Sequence, residues 1–120
     1  GEQDHRPVIV GDRLYCEPFG YYLETGIPLA DFQWNPNHRR GCGNLSASTS
    51  AFFFRQNVTS MFDLNTNQTS PVTQITRPGC WINILPAGGL LMIPEASSGC
   101  TCNYPIQTSI TFLPAPPPQQ

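Results

Sequence analysis

The chain has 120 residues, which is enough for one small folded unit and too few for most two-domain enzymes. Hydrophobic residues make up 39% and aromatic residues 11%, which excludes an intrinsically disordered chain, while charged residues make up only 12%. The net charge is −2, and the basic residues are six arginines with no lysine. Because the chain has no basic patch to neutralise a phosphate backbone, we expect no nucleic-acid partner.

Short strand-like runs follow one another along the chain. Thirteen prolines and ten glycines interrupt the sequence, and no stretch of a dozen residues has apolar side chains at the three- and four-residue spacing of a helix. The runs are rich in β-branched and aromatic residues and end at turn residues, which predicts strands. In chain order they cover residues 7–10, 13–16, 19–23, 51–54, 58–62, 81–85, 90–93 and 108–112.

The most apolar stretch is residues 82–94. It contains Pro86, Gly88 and Gly89, which divide it into two short strands. A membrane-spanning helix needs an uninterrupted apolar run of about 18 residues or more. We therefore expect buried sheet here and no membrane span.

The strand pattern repeats at intervals of about 40 residues. Residues 8–17, 45–54 and 84–93 each combine two strand-like runs around a tight turn, and residues 22–26 and 63–67 form similar exposed turns. A repeat of this size with three or four short strands is typical of a propeller blade. Three units are fewer than the roughly four to eight blades of a closed propeller, so two apolar faces are left open. We expect the remaining blades of a longer parent chain, or self-association, to cover them.

The aromatic residues favour core packing over ligand binding. The run Phe52, Phe53 and Phe54 predicts a strand that is covered on both faces, as expected between two neighbouring blades. Trp34 and Trp81 lie beside loops, where a tryptophan either packs in the core or stacks on a sugar or quinone ring. Because no partner motif accompanies them, core packing is the favoured interpretation.

The five cysteines indicate an oxidising compartment, so we expect an extracytoplasmic protein, secreted or periplasmic. Four of them lie in glycine-rich loops, at Cys42, Cys80, Cys100 and Cys102. Cys100 and Cys102 present their thiols to the same side, within reach of the other two. Two disulfides are the favoured interpretation, and a four-thiolate metal site is the alternative. Cys16 lies in an apolar run and is the candidate for the buried thiol that is left over.

No residue is assigned a catalytic role. His5 and His38, the two histidines, fall outside every motif with a known mechanism. Glu17 and Glu95 stand beside prolines at related positions, but an acid–base pair is not favoured. The other candidates are carboxylates at turns, where such side chains accept hydrogen bonds from backbone amides, namely Asp12, Glu24 and Asp63.

Several sequence segments resemble a known family. The units PVIVGDRLY (residues 7–15) and YLETG (residues 22–26) resemble the repeats of bacterial quinoprotein-type (PQQ-like) β-propellers. RGCGNLSAS (40–48), RPGCWIN (77–83) and GCTCNYPIQTS (99–109) look like the C-terminal end of a subgroup of large secreted bacterial proteins with such repeats. The resemblance implies an all-β, disulfide-supported partial propeller of about three blades of short antiparallel strands over residues 7–113. A flexible N-terminus at 1–6 and a Pro-rich tail at 114–120 would flank it.

The resemblance implies a recognition or assembly scaffold. Quinone-binding dehydrogenases of the family have features that this chain lacks, such as adjacent cysteines and an Asp–Asn cluster. We therefore expect no cofactor, with PQQ conceivable only when upstream blades are present, and the ligand is unknown. Two alternatives remain open, which are the C-terminal part of a quinoprotein-like oxidoreductase with catalytic residues upstream, and a stand-alone small secreted disulfide-rich binding domain.

Overall fold

The structure, a computed structural model, describes residues 6–34, 44–56, 58–74, 84–94 and 108–115. These residues form strands and turns and contain no helix, which confirms the all-β prediction. The strands are β1 (Val8–Val10), β2 (Arg13–Cys16), β3 (Phe19–Tyr22), β4 (Ser46–Ala47), β5 (Ala51–Gln56), β6 (Val58–Asp63), β7 (Gln68–Thr73), β8 (Leu85–Ala87), β9 (Leu90–Ile93) and β10 (Ile110–Phe112).

The strands form three separate antiparallel sheets. The first sheet has the order β1-β2-β3, the middle sheet β4-β5-β6-β7, and the last sheet β8-β9-β10. In each sheet every strand pairs with its neighbour in sequence, so each sheet is a simple meander. Within the described ranges the sheets close neither a barrel nor a ring.

Tight two-residue turns join the first two strands of the outer sheets. Gly11 and Asp12 connect β1 to β2, and Gly88 and Gly89 connect β8 to β9. Gly11 has a φ of 61°, and Gly88 and Gly89 have φ of 58° and 76°. Hairpin turns of two residues need such positive φ values to match the twist of the strands, and glycine adopts them without steric cost.

The turn predicted twice in the sequence is present twice in the structure. Gly26 N donates to Tyr22 O at 2.8 Å, and Asn67 N donates to Asp63 O at the same distance. Gly26 and Asn67 are both left-handed, with φ of 73° and 57°. The Asp63 carboxylate also accepts a hydrogen bond from Asn65 N at 2.8 Å, which confirms its predicted role in a turn.

A second repeated hydrogen bond ties each of these turns to a hairpin turn. Leu23 N donates to Asp12 O in the first sheet, and Leu64 N donates to Ser50 O in the middle sheet, both at 2.8 Å. Residues 27–29 then pair with β3, through the bridge between Tyr21 and Pro28. The first sheet therefore carries the start of a fourth strand, in the position that β7 has in the middle sheet.

The three sheets share one register. Their first strands begin at Val8, Ser46 and Leu85, which are 38 and then 39 residues apart, and in each sheet the second strand begins five residues later. The sequence analysis aligned residues 45 and 84 with Val8, so in the structure both later copies begin one position further along the chain. Their first strands β4 and β8 have only two and three residues, and such short patterns do not fix a register.

The middle sheet is buried on both faces. Phe52 and Phe54 belong to one apolar cluster with Tyr15 of the first sheet. Phe53 belongs to a second cluster with Ile93 of the last sheet. Because successive side chains of a strand point to opposite faces, the three phenylalanines fill both clusters, which confirms the prediction made from their run.

The sheets approach one another at their first strands. Among the described strands, Cα atoms of different sheets come within 8 Å only between β1 and β4 and between β4 and β8. Sheets that pack face to face in parallel layers lie about 10 Å apart. The three sheets thus converge at their first strands and are further apart at their outer strands.

Two strand predictions need correction. The run at 81–85 lies mostly outside the described residues, and the strand found there is β8 (Leu85–Ala87), which includes Pro86. Proline is tolerated because β8 is an edge strand of the last sheet, where one side of the strand needs no ladder hydrogen bonds. The strand β7 was not predicted, since it is polar and contains Pro71, whereas β4 was predicted only as the first strand-like run of the repeat unit at 45–54.

Gly20 on β3 faces Tyr15 and Leu29 at close range. A methyl group added there would lie 2.8 Å from Leu29 Cδ1 and 2.9 Å from Tyr15 Cδ1. We expect Gly20→Ala to lower the free energy of unfolding by about 1–3 kcal/mol in urea denaturation, because the packing has no room for the methyl group.

Gly26→Asn is the matched control for this prediction. Gly26 is left-handed and has open space around it, and Asn67 occupies the equivalent turn position in the middle sheet. Asparagine tolerates this conformation, so we expect a loss below about 1 kcal/mol. Equal stability of Gly20→Ala and the wild type would contradict the tight contact.

Candidate functional site

The candidate site consists of the two sheet faces that no other sheet of the described residues covers. We call the side of a sheet that is turned to the next sheet along the chain its forward face, and the opposite side its rear face. Tyr15 lies on the forward face of the first sheet and Phe53 on that of the middle sheet, since each packs against the sheet that follows. Phe52 and Leu91 lie on the rear faces of the middle and last sheets.

The open rear face belongs to the first sheet. Cross-strand pairing places Ile9, Leu14 and Tyr21 in one row across β1, β2 and β3, and Cys16 opposite Phe19 in a second row. Ile9 is 60% exposed and Phe19 47% exposed, while the other three are half-buried. Several exposed apolar side chains on one sheet face are of the kind that marks interaction surfaces.

The open forward face belongs to the last sheet. Leu85, Met92 and Thr111 form one row across β8, β9 and β10, and Ala87 pairs with Leu90. Leu85 is 43% exposed, Met92 and Leu90 are half-buried, and Ala87 is exposed. The opposite side of β9 carries Ile93, which is fully buried against the middle sheet.

The open faces use the same repeat positions as the covered ones. In the second strand of each sheet (β2, β5 and β9), the side chain of the third residue points to the forward face. The side chains of the second and fourth residues point to the rear face. The forward residues are Tyr15, Phe53 and Met92. The rear residues are Leu14, Phe52 and Leu91 at the second position and Cys16, Phe54 and Ile93 at the fourth. Each open face is therefore the unused copy of a surface that the chain already buries elsewhere.

No family model, curated protein or solved structure matches this chain. The functional conclusions below therefore depend on the geometry of its own residues.

A polar groove of about 640 Å³ lies between the first and middle sheets, beside their turns. Arg13 is on its rim, and a hydrogen bond with the Tyr15 side chain is the main cause that raises the pKa of Arg13 above its usual value. Arg13 Nε lies 3.9 Å from Asp12 Oδ1, and both side chains are well exposed, so this ion pair adds little stability. The groove offers one fixed positive charge and the amide side chains of Asn65 and Asn67.

The equivalent groove between the middle and last sheets is apolar. It has a volume of about 660 Å³ and is lined mainly by carbon-rich side chains, among them Phe53, Met61, Leu91, Phe112 and Leu113. The two grooves occupy the same place in successive units but differ in chemistry, because the residues that line them differ. Two carboxylates, Asp12 and Asp31, line the polar groove together with Arg13, and neither groove is lined by a histidine among the described residues.

Most of the predicted site residues lie outside the described part of the chain. This applies to Cys42, Cys80, Cys100 and Cys102 and to His5, His38, Trp81 and Glu95. Their roles, including the two disulfides, stay predictions. Within the described residues no group of three or more His, Cys, Asp or Glu side chains can hold a metal. The described residues also contain no helix that is long and apolar enough to cross a membrane.

Trp34 and Cys16 are among the predicted residues that the structure describes. Trp34 is buried, and its ring centroid lies 5.2 Å from that of Phe52 and 5.0 Å from that of Phe54. It is therefore a core residue, as favoured, and cannot stack on a ligand. Cys16 lies on β2, where its side chain is half-buried on the rear face of the first sheet, so it is less buried than expected.

Thiol titration of the unfolded protein without reductant measures the cysteine pairing. We expect one reactive thiol per chain, from Cys16, because the other four of the five cysteines are predicted to form disulfides. The same titration after reduction serves as the control and should detect all five. Four or five reactive thiols without reductant would contradict the disulfide prediction.

Sequence reasoning predicted two open faces but not the residues that form them. The signal was present, since Leu14, Tyr15 and Cys16 are consecutive apolar residues, as are residues 90–93. A strand whose odd and even positions are both apolar has two faces to bury. Deciding which of these positions lie on the open face required the strand pairing, which the structure shows.

Proposed function

We propose that this chain is a segment of a β-propeller of the PQQ-like repeat kind, in which each sheet is one blade. It acts as an assembly scaffold in a secreted or periplasmic bacterial protein, and it needs no cofactor of its own. The observation that carries the proposal is the pair of exposed apolar faces, one at each end of a stack of three repeated meanders.

The convergence of the first strands supports the radial arrangement. In a propeller the first strand of each blade lines a central channel, and the blades spread apart towards the outside. Here β1 adjoins β4 and β4 adjoins β8, while the outer strands described have no such approach. Two layers of a β-sandwich would keep a nearly constant spacing instead.

The chemistry of the open faces supports a scaffold and not an active site. Their residues are Ile9, Leu14, Cys16, Phe19 and Tyr21 at one end and Leu85, Ala87, Leu90, Met92 and Thr111 at the other. Side chains of this kind gain free energy when another surface removes them from water. They offer no acid–base pair, so binding is the chemistry that fits them.

Paired spin labels test the radial arrangement. We place one pair at positions 12 and 50, in the hairpin turns, and the other at 27 and 68, where the fourth strands begin. A genetically encoded keto amino acid carries the labels, so the native cysteines stay unchanged. Dilution with unlabelled protein removes distances between chains. We expect the 27–68 distance to exceed the 12–50 distance clearly, because blades diverge outwards. Equal distances would indicate parallel layers and contradict the proposal.

A further inference from the structure

We propose that the open forward face of the last sheet docks on the open rear face of the first sheet in a second copy of this chain. Two such junctions, related by a twofold axis, join two chains into one ring of six sheets. This inference rests on the proposed function and names the partner of its two open faces.

Each open face is one half of a junction that the chain already makes twice. At the first junction, forward Tyr15 packs against rear Phe52, with ring centroids 4.9 Å apart. At the second junction, forward Phe53 and rear Leu91 belong to one cluster. The same pairing of positions at a third junction places forward Met92 against the rear Leu14 of the second copy.

The number of sheets selects two copies. The described residues of one chain form three sheets, so two copies supply six such sheets and three copies supply nine. Closed propellers typically have about four to eight blades. Two copies of the three described sheets fall within this range, whereas one copy falls below it and three copies exceed it.

The two faces also match in chemistry and shape. Neither carries a charged side chain at the paired strand positions described above. Ile9 and Phe19 project from the rear face, whereas Ala87 leaves room on the forward face and Met92 is flexible enough to adapt to its partner. Two uncharged apolar faces pack together without burying an unpaired charge. A nucleic acid or an anionic membrane would find no basic group on either face.

Charge substitutions on each face, followed by mixing, test the docking. Ile9→Arg alters the rear face and Leu85→Arg the forward face, both at side chains that are already well exposed. Gln68→Arg adds the same charge at an exposed site on β7 of the middle sheet and is the matched control. Sedimentation velocity reports the particle mass relative to the 13.3 kDa chain, and circular dichroism confirms that each variant is folded.

We expect two-chain particles for the wild type and for Gln68→Arg, and single chains for Ile9→Arg and for Leu85→Arg alone. An equimolar mixture of the two interface variants should restore a two-chain particle, because it contains one junction with both faces intact. That particle should dissociate at higher concentration than the wild type, since its second junction carries both arginines.

Two results would overturn the docking. One is a wild type that stays a single chain at every concentration, and the other is a mixture that stays monomeric although the wild type pairs, since that indicates like-to-like contacts. If the arginine variants are unfolded, Ile9→Thr and Leu85→Thr serve as the milder pair. The spin-label distances within one chain are unaffected by these outcomes, so a failed docking is distinguishable from a failed propeller proposal.

Discussion

Phe52→Ala should lower the free energy of unfolding by about 3–5 kcal/mol. Phe52 is fully buried, and its ring lies 4.9 Å from that of Tyr15, 5.2 Å from that of Trp34 and 5.8 Å from that of Phe62. Removing the ring leaves a cavity and breaks several aromatic pairs, each of which contributes about 0.5–1.5 kcal/mol. Urea denaturation followed by circular dichroism measures the change.

Leu113→Ala is the control for this first experiment. Leu113 is 74% exposed, so its truncation should change stability by less than about 0.5 kcal/mol. A loss below about 1 kcal/mol for Phe52→Ala would mean that the first and middle sheets are not packed around this ring, contrary to the cluster described above.

Ile93→Ala should lower the free energy of unfolding by about 2–5 kcal/mol. Ile93 is fully buried between the middle and last sheets, in a cluster with Ala51, Phe53 and Ile84. Truncation removes the β9 side chain that anchors the last sheet to the middle one. The same urea denaturation measures the change, with tryptophan fluorescence as a second probe.

Met92→Ala is the matched control, because Met92 is the adjacent residue on β9 and points to the open forward face. Its side chain is half-buried, so we expect a loss clearly smaller than that of Ile93→Ala when the protein is dilute. Equal losses would contradict the assignment of the two faces. Phe52→Ala and Ile93→Ala lie in different clusters, so their effects should add within about 0.5 kcal/mol in the double variant.

The strands that could be predicted are those with apolar or β-branched runs between glycine or proline turns. The runs at 13–16 and 90–93 agree with β2 and β9 at both ends. β7 was missed because Gln68, Thr69, Ser70 and Pro71 are polar or lack a backbone donor, and only an edge position accepts such a strand. The strand propensity of a residue mainly reflects how well its side chain packs on a half-buried pleated surface. It therefore says little about an exposed outermost strand such as β7.

The candidate site could be predicted in outline only. The count of three repeats gave two open faces, and the run from Phe52 to Phe54 gave the covered middle strand. The members of each face depend on register, and a shift of one residue exchanges the two faces of a strand. The first hairpin fixes this register through Gly11 and Asp12, and the one-residue error in both later repeat copies shows how little the short strands β4 and β8 constrain it.

Residue chemistry alone does not locate the candidate site. Cysteines and tryptophans are the usual first candidates for chemistry, and here Trp34 is a core residue beside Phe52. The two open faces consist instead of ordinary strand residues such as Ile9 and Leu85, which are 60% and 43% exposed. Composition cannot separate these from core residues, because only the presence or absence of a neighbouring sheet distinguishes them.

Hydroxyl-radical footprinting at rising protein concentration tests most directly whether the two end faces belong together. Tyr21 and Met92 report on the open rear and forward faces, and Tyr22, next to Tyr21 but on the forward side of the first sheet, is the internal control. We expect the reactivity of Tyr21 and Met92 to fall together as the protein concentration rises, while Tyr22 stays constant. Unchanged reactivity of both, or protection of only one of them, would contradict two complementary faces that bury each other.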